Sequence, residues 1–345
     1  MLRAIVLGLV QGITEFLPIS SSAHLSIVPV LLGYAPPTLA FEVLLHFGTL
    51  AAVVAYFARD LWGFLLSLVA PGRLGPEEAR TRRRLLGLLA LASVPAAAVG
   101  FLLQDWADQQ TARPLRASVW LMVTTSVMIA AELYDRARRD RAQPATAPGE
   151  LEGAEATAAG ELGGEAAARA GLWTSGGARS SERLRSPTGG PGHARAGSGT
   201  PGAGRRARAA APVTAEQELD RLPLAKAAGI GFGQALALIP GTSRSGITIS
   251  VGLFEGVSRE AAARFSFLLS IPAILGAGIL KLDELPHAHE TPVELIAGTL
   301  AAAISGFLAV SFLIRLLRTR TLWPFIWYRL VAGGLFVVLL STLRS

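Results

Sequence analysis

The stretch that decides the fold is "QGITEFLPISSSAHL", residues 11–25, which lies between the apolar runs "LRAIVLGLV" and "SIVPVLLG". Polar side chains, a proline and three consecutive serines interrupt what is otherwise an apolar segment. Gln11 and Glu15 are four residues apart, so they share one face of a helix. A carboxylate at membrane depth is costly unless it is hydrated, paired or coordinated. We therefore take Glu15 as a candidate functional residue.

The composition indicates a polytopic membrane protein. Of 345 residues, 51% are hydrophobic and 17% are charged, which is too apolar for an ordinary soluble enzyme. Six windows are long enough to cross a hydrocarbon core of about 30 Å as helices. These windows are 39–58, 85–103, 117–133, 262–280, 293–314 and 325–343.

The net charge of +7 does not indicate a nucleic acid partner. Lys226 and Lys281 are the only lysines, and most of the arginines lie in loops or in one linker. In a membrane protein such arginines indicate which loops lie on the cytoplasmic side and which segments contact anionic headgroups. Cysteine is absent, which excludes disulfides and thiolate metal sites.

A compositional change divides the chain. Residues 136–222 are rich in Ala, Gly and Arg, and Trp173 is their only aromatic residue. Such a segment buries too little apolar surface to offset its ordering entropy, so we predict a disordered cytoplasmic linker. An inserted small domain is the alternative. The linker separates a first membrane repeat, 1–135, from a second, 223–345, each with one hairpin and three spans.

The two apolar halves resemble one another. The stretches "GLVQGITEFLPISSSAHLSI", 8–27, and "GFGQALALIPGTSRSGITIS", 231–250, share Gly-x-x-Gln, an apolar run, a proline and a serine-rich turn. A phenylalanine follows each proline at a similar distance, at Phe41 and Phe265. This ordered repetition predicts an internal repeat.

Arginine placement sets the predicted topology. Loops 71–84 and 315–320 and both flanks of the linker are basic, so we place them in the cytoplasm. The two repeats are then inverted, and segments 5–30 and 224–253 each begin and end on one side. Each is predicted to be a re-entrant helical hairpin that lines a cavity or is buried in protein. The predicted fold is an all-α polytopic membrane protein with six transmembrane helices and two such hairpins; eight full spans is the alternative.

The second hairpin contains "PGTSRSGIT", whose composition favours binding of a phosphate group. Hydroxyls of Ser243, Ser245 and Thr248, together with backbone amides at a helix N-terminus, form an anion cradle. Arg244 adds a forked and permanently charged partner for phosphate oxygens. The alternative is a helix cap whose arginine pairs with Glu15.

If the two turns meet, the combined groups suit phosphoryl transfer. Arg244 would neutralise phosphate oxygens, a serine hydroxyl or water would attack, and His24 or Glu15 would move the proton. Gln11 and Glu15 could also hold a hard divalent cation through their oxygens.

The two motifs closely resemble the signature segments of the undecaprenyl pyrophosphate phosphatase family, the bacitracin-resistance type of bacterial membrane phosphatase. "FEVLLHFGTLAAV" and "EAAARFSFLLSIPAILGA" extend the likeness over both apolar halves. The resemblance implies hydrolysis of C55 isoprenyl diphosphate to the monophosphate, which recycles the lipid carrier of peptidoglycan synthesis. It also implies a divalent cation, magnesium or calcium, and an active site on the outer face of the cell membrane.

The family's functional positions fall on this chain as follows: the acidic motif on Gln11 and Glu15, the serine and histidine on Ser21 and His24, and the phosphate segment on Ser243, Arg244, Ser245 and Thr248. Many members have glutamate where this chain has Gln11, so its motif holds a single carboxylate. Ser21 is the predicted nucleophile with His24 or Glu15 as base, while attack by His24 or by water stays open. His46 is left outside the predicted site as a packed, hydrogen-bonded histidine.

Two other classes of function fit parts of this pattern. An inverted-repeat transporter or lipid flippase also uses broken helices at the membrane midplane. A membrane scaffold could use the arginine-rich linker as a docking tail. The predicted partners are a polyprenyl diphosphate lipid and the bilayer, and a homodimer is kept open.

Overall fold

The computed structural model describes residues 1–103, 114–142 and 213–342. These residues form α-helices joined by short connections and contain no strand. The helices are α1 (Leu2–Phe16), α2 (Ser21–Leu31), α3 (Leu39–Tyr56), α4 (Ala58–Val69), α5 (Pro76–Leu102), α6 (Pro114–Ala142), α7 (Ala215–Asp220), α8 (Leu224–Leu236), α9 (Arg244–Phe254), α10 (Arg259–Leu280), α11 (Pro292–Thr319) and α12 (Trp323–Thr342). The predicted all-α class is confirmed.

Six of these helices, α3, α5, α6, α10, α11 and α12, are long and apolar enough to cross a membrane. They coincide with the six predicted windows, so the predicted count of spans is confirmed for the described residues. Their ends carry the expected signals. At the start of α11, Thr291 and Glu294 form a capping box around Pro292, and at the start of α10 the Ser258 hydroxyl accepts the amide of Ala261.

Two pairs of short helices occupy the predicted hairpin segments. α1 ends before Pro18, because the residue that precedes a proline is driven out of helical geometry, and Leu17 is extended. Ser20 then has φ of 74°, the left-handed region, and caps α2. The second break, between α8 and α9, contains Gly241 with φ of 92°. With 11 to 15 residues each, these four helices are all shorter than the roughly 20 residues that a transmembrane crossing needs.

Each broken pair packs on a long helix of the opposite half. α1 lies against α11 so closely that a Cβ added at Gly8 would lie 2.2 Å from the carbonyl oxygen of Gly298. α8 lies against α5 in the same way, since a Cβ at Gly231 would lie 2.4 Å from the carbonyl oxygen of Ala92. Gly8 and Gly231 are equivalent positions of the sequence repeat, and α5 and α11 are each the second span of their half. The packing is therefore reciprocal between the halves.

The described ends of the predicted linker are helical. α6 continues through residues 136–142, where Arg139 pairs with Asp135 at 2.9 Å. On the other side α7 is capped by Thr214 and Gln217, and its Ala215 and Leu219 are buried. An i,i+4 ion pair and a capping box account for this order, so the helical structure extends further into 136–222 than its composition indicated. The remainder, 143–212, lies outside the described residues.

A buried ion cluster ties the first half to the second. The guanidinium of Arg259 contacts the carboxylates of Glu132, at 2.6 Å, and Asp135, at 2.8 Å. Glu132 also accepts the backbone amide of Leu322 at 2.7 Å. The cluster joins α6, α10 and the start of α12, and its buried carboxylates are charge-paired with Arg259 away from solvent.

We expect Gly12→Val to destabilise the fold, because a Cβ at this position would lie 2.0 Å from the Ser305 hydroxyl oxygen and 2.5 Å from the Ala302 carbonyl oxygen. Overpacking of this kind costs about 1–3 kcal/mol. The measurement is thermal unfolding of the purified protein in detergent. Gly87→Val is the matched control, since a Cβ at Gly87 in α5 meets nothing within 4 Å. Equal unfolding temperatures for the two variants would contradict the close α1–α11 contact.

Candidate active site

The two helix breaks are in direct contact. The Ser20 hydroxyl donates to the carbonyl of Thr242 at 3.0 Å, and the amide of Gly241 donates to the Ser22 hydroxyl at 3.1 Å. The Ser245 hydroxyl donates to the carbonyl of Leu17 at 3.2 Å. Residues more than 200 positions apart thus meet at one point inside the helical body, as the combination of the two motifs requires.

Glu15 lies at the centre of this contact. Its Oε1 accepts Arg244 Nη2 at 2.7 Å, and its Oε2 accepts the Ser21 hydroxyl at 2.6 Å and Gln11 Nε2 at 3.1 Å. The side chain is 7% exposed, so the charge is held by partners rather than by bulk water. Four of the sequence-predicted residues therefore form one hydrogen-bonded cluster.

Arg244 uses only part of its guanidinium in this cluster. It is the first residue of α9, and Nη2 binds Glu15 while Nη1 is buried without a hydrogen-bond partner. The amides of the first turn of a helix have no acceptor within the helix and carry the positive end of its dipole. An oxyanion near this helix start would meet both kinds of donor.

The hydroxyls near Arg244 have protein partners. Ser243 caps α9 by accepting the amide of Gly246 at 3.1 Å, and it lies 3.2 Å from the Ser245 hydroxyl. Thr248 donates to the carbonyl of Arg244 at 2.8 Å and contacts the hydroxyl of Ser266. These contacts shape the turn, and none of them uses Arg244 Nη1.

His24 has hydrogen-bond partners outside the cluster. Its Nδ1 lies 2.7 Å from the Ser20 carbonyl, which can only accept, so Nδ1 carries the proton. Its Nε2 lies 2.7 Å from the Tyr328 hydroxyl, and its ring packs edge-on against Phe336. No hydrogen bond joins His24 to Glu15, Ser21 or Arg244 within the described part of the chain.

His46 lies close to the cluster although the sequence interpretation left it outside. Its Nε2 is 3.8 Å from Glu15 Oε2, and its Nδ1 is 2.8 Å from the carbonyl of Glu42. A histidine on an apolar span is more often packed than functional. His46 lies near Glu15 because α3 packs against α1.

Two of the cavities between the described helices differ in polarity. One of about 640 Å³ is an apolar groove formed by α1, α2 and the start of α12, with His24 and Tyr328 as its main polar side chains. The other, about 340 Å³, is polar and contains none of the predicted site residues. There burial raises the pKa of the Asp60 carboxyl, an effect that Arg264 opposes and Glu216 reinforces.

The described residues contain no group of three or more His, Asp or Glu side chains arranged to hold a metal. Gln11 and Glu15, the predicted metal residues, offer oxygens from an amide and a carboxylate. Gln11 Oε1 is buried and has no hydrogen-bond partner, which fits a position that binds a cation.

A family model described as bacitracin resistance protein BacA matches residues 4–162 and 203–335. The match covers both motifs and every residue of the cluster. The chain belongs to the BacA family. Membership agrees with the resemblance that the two motifs carried.

Curated relatives align over nearly the whole chain. A protein of Moorella thermoacetica is 37% identical over 97% of this chain and 96% of its own length. Those of Alcanivorax borkumensis and Geobacter sulfurreducens are 38% and 36% identical, each over 96% of both chains. All three are named undecaprenyl-diphosphatase.

This BacA-family chain also buries an arginine that the sequence interpretation missed. Arg329 is fully buried and donates to the carbonyls of Pro18, at 3.1 Å, and Leu121, at 2.8 Å. It also donates to the hydroxyl of Thr125, at 2.8 Å, and contacts that of Thr124. The signal was present, because an arginine inside a predicted span is functional or structural by default.

We expect Arg329→Met to lower the stability of the protein by about 3 kcal/mol or more. The substitution keeps an unbranched, largely apolar side chain but removes the guanidinium, so its hydrogen bonds to two buried carbonyls and two hydroxyls are lost. Thermal unfolding in detergent measures the loss. Arg315→Met is the control because Arg315 is an exposed residue of α11. A stable Arg329→Met variant would mean that the turn at Pro18 is held without this arginine.

Proposed function

We propose that the protein is an integral-membrane undecaprenyl-diphosphatase. It hydrolyses C55 isoprenyl diphosphate to the monophosphate and inorganic phosphate, recycles the lipid carrier for peptidoglycan synthesis and confers bacitracin resistance. The observation that carries the proposal is the contact of Glu15 with both Ser21 and Arg244 where the two helix breaks meet. The family and the names of its relatives supply the substrate.

Ser21 is the nucleophile that the contacts favour. Its hydroxyl donates to Glu15 at 2.6 Å, so the carboxylate accepts the proton as the oxygen attacks the terminal phosphorus. The bond from that phosphorus to the bridging oxygen breaks, and the isoprenyl monophosphate leaves with the electron pair and then takes the proton. A water molecule next attacks the phosphorus of the phosphoserine while Glu15 accepts a proton from that water. Glu15 then returns the proton to the serine oxygen as the bond from phosphorus to that oxygen breaks, and inorganic phosphate leaves.

Arg244 and the start of α9 bind the diphosphate. Nη1 is free to take a phosphate oxygen while Nη2 keeps Glu15 in place. The first-turn amides of α9 add donors that are already oriented, so charge that develops in the transition state meets fixed dipoles. Ser243, Ser245 and Thr248 hold this helix start in position, and their hydroxyls are secondary ligands.

A divalent cation, magnesium or calcium, belongs to the proposal. Gln11 and Glu15 would hold it through their oxygens, and it would neutralise charge on the diphosphate. The apolar groove of α1, α2 and α12 accommodates part of the isoprenyl chain. His24, with Tyr328, lies at this groove and positions the lipid or moves a proton from there.

The proposed topology is an inverted repeat with two re-entrant hairpins. The short helices of the two pairs and the reciprocal packing of α1 on α11 and α8 on α5 support it. With the basic loops in the cytoplasm, the family resemblance supports an active site that faces the outer side of the cell membrane. A homodimer stays a prediction.

A transporter or lipid flippase is the second candidate function. The reciprocal packing of the two halves favours it, because alternating access uses such repeats around a central site. In that case Arg244 would bind the lipid headgroup without hydrolysis. Turnover of the diphosphate separates the two functions.

We expect the detergent-purified protein to release inorganic phosphate from C55 isoprenyl diphosphate with magnesium or calcium present. Ser21→Ala should abolish release while the variant still binds the substrate. Ser26→Ala is the control, since its hydroxyl donates to the Ser22 carbonyl on the same helix. No release by the unmodified protein would favour transport, and considerable release by Ser21→Ala would transfer the attack to His24 or to water.

We expect Arg244→Lys to lose activity by about 100-fold or more, because one ammonium cannot bind Glu15 and a phosphate oxygen in the same forked geometry. Initial rates at saturating substrate measure the loss. Arg318→Lys provides the comparison, because Arg318 also forms a 2.9 Å ion pair, with Glu260, but on an exposed surface. Turnover close to normal in Arg244→Lys would make this arginine structural.

A further inference from the structure

His46 presents a nitrogen to Glu15 at a distance that no hydrogen bond explains. Its Nδ1 lies 2.8 Å from the carbonyl of Glu42, so that nitrogen carries the proton of the neutral ring. Nε2 then has a lone pair and faces Glu15 Oε2, which is also an acceptor, at 3.8 Å. In this neutral form a cation between the two atoms would satisfy both acceptors, whereas a protonated ring would pair with Glu15 directly.

Gln11 contacts the same carboxylate oxygen of Glu15. Its Nε2 lies 3.1 Å from Glu15 Oε2, and its Oε1 is buried without a partner. Rotation of the amide by half a turn exchanges the two atoms and brings Oε1 to the carboxylate. An unpartnered amide oxygen is costly when buried, and a cation would satisfy it.

The two distances match those between ligands of one ion. With ligand atoms about 2.1 Å from a divalent ion, two of them lie about 3.0 Å apart at a right angle and about 4.2 Å apart when opposite. Both 3.1 Å, from Gln11, and 3.8 Å, from His46, fall within this interval. Glu15 Oε1 stays paired with Arg244, so its Oε2 is the shared ligand atom.

We propose that His46 is a ligand of the divalent cation, through Nε2, together with Gln11 Oε1 and Glu15 Oε2. The inference rests on the cation of the proposed function and adds a ligand that the motif alone does not contain. It also gives the neutral Gln11 a physical role, because the site gains a donor without a second negative charge.

The test detects the nitrogen directly with Mn²⁺ as the probe. Tag-free protein in detergent is loaded with Mn²⁺, and electron spin-echo envelope modulation is recorded. We expect coupling to a bound imidazole nitrogen, which changes from the ¹⁴N to the ¹⁵N pattern when histidine is ¹⁵N-labelled. His46→Gln should remove this coupling and weaken Mn²⁺ binding about tenfold or more. The double variant His287→Gln/His289→Gln should keep both, since these two loop histidines are exposed.

Several outcomes overturn the proposal. Mn²⁺ bound without nitrogen coupling, coupling that survives in His46→Gln, or no Mn²⁺ binding would each exclude His46 as a ligand. The labelling experiment needs no substitution, so a His46→Gln variant that fails to fold does not prevent a result. Phosphate release is measured on the same samples. Phosphate release without nitrogen coupling would support the phosphatase function and exclude His46 as a ligand. Nitrogen coupling without phosphate release would support the cation site and exclude the phosphatase function.

Discussion

The ion pair between Glu15 and Arg244 is the constraint on which the rest of the site depends. A carboxylate that is 7% exposed inside a helical membrane protein is stable only with a partner, and the partner comes from the other half of the chain, 229 positions away. Forming the pair in this fold requires that the two helix breaks lie side by side and that their turns touch. The hydrogen bonds of Ser20 and Gly241 across the two turns meet these conditions.

The two halves hold each other in place through glycine. α1 and α8 approach α11 and α5 so closely that only hydrogen fits at Gly8 and Gly231. In a membrane the hydrophobic effect contributes little to helix association, so close backbone contact at small residues is a main source of stability for the helix pair. A helix that is too short to cross the bilayer gains its stability from this packing. The two turns are therefore supported by helices of the opposite half of the chain.

Much of this architecture follows from local sequence signals, and the remainder depends on contacts between distant residues. The six spans are predictable because each apolar window has about the length of a transmembrane helix, and the pairing of Glu15 with Arg244 follows from the cost of an unpaired charge. The partner of His24 is not predictable, because Tyr328 is 304 positions away. The position of His46 likewise depends on helix packing, and no spacing rule relates it to Glu15. The helical ends of the linker did carry a signal, a capping box at Thr214, which its low-complexity composition concealed.

The buried Arg329 has one further consequence. Its hydrogen-bond partners are carbonyls and hydroxyls, and no carboxylate pairs with it in the described parts of the chain. Its positive charge is therefore not cancelled locally, and in a low-dielectric interior such a charge acts over a longer range than it would in water. Since the guanidinium binds the carbonyl of Pro18, this positive potential extends to the turn that carries Ser21. An anionic headgroup that approaches the turn would meet an attractive field before it makes any direct contact.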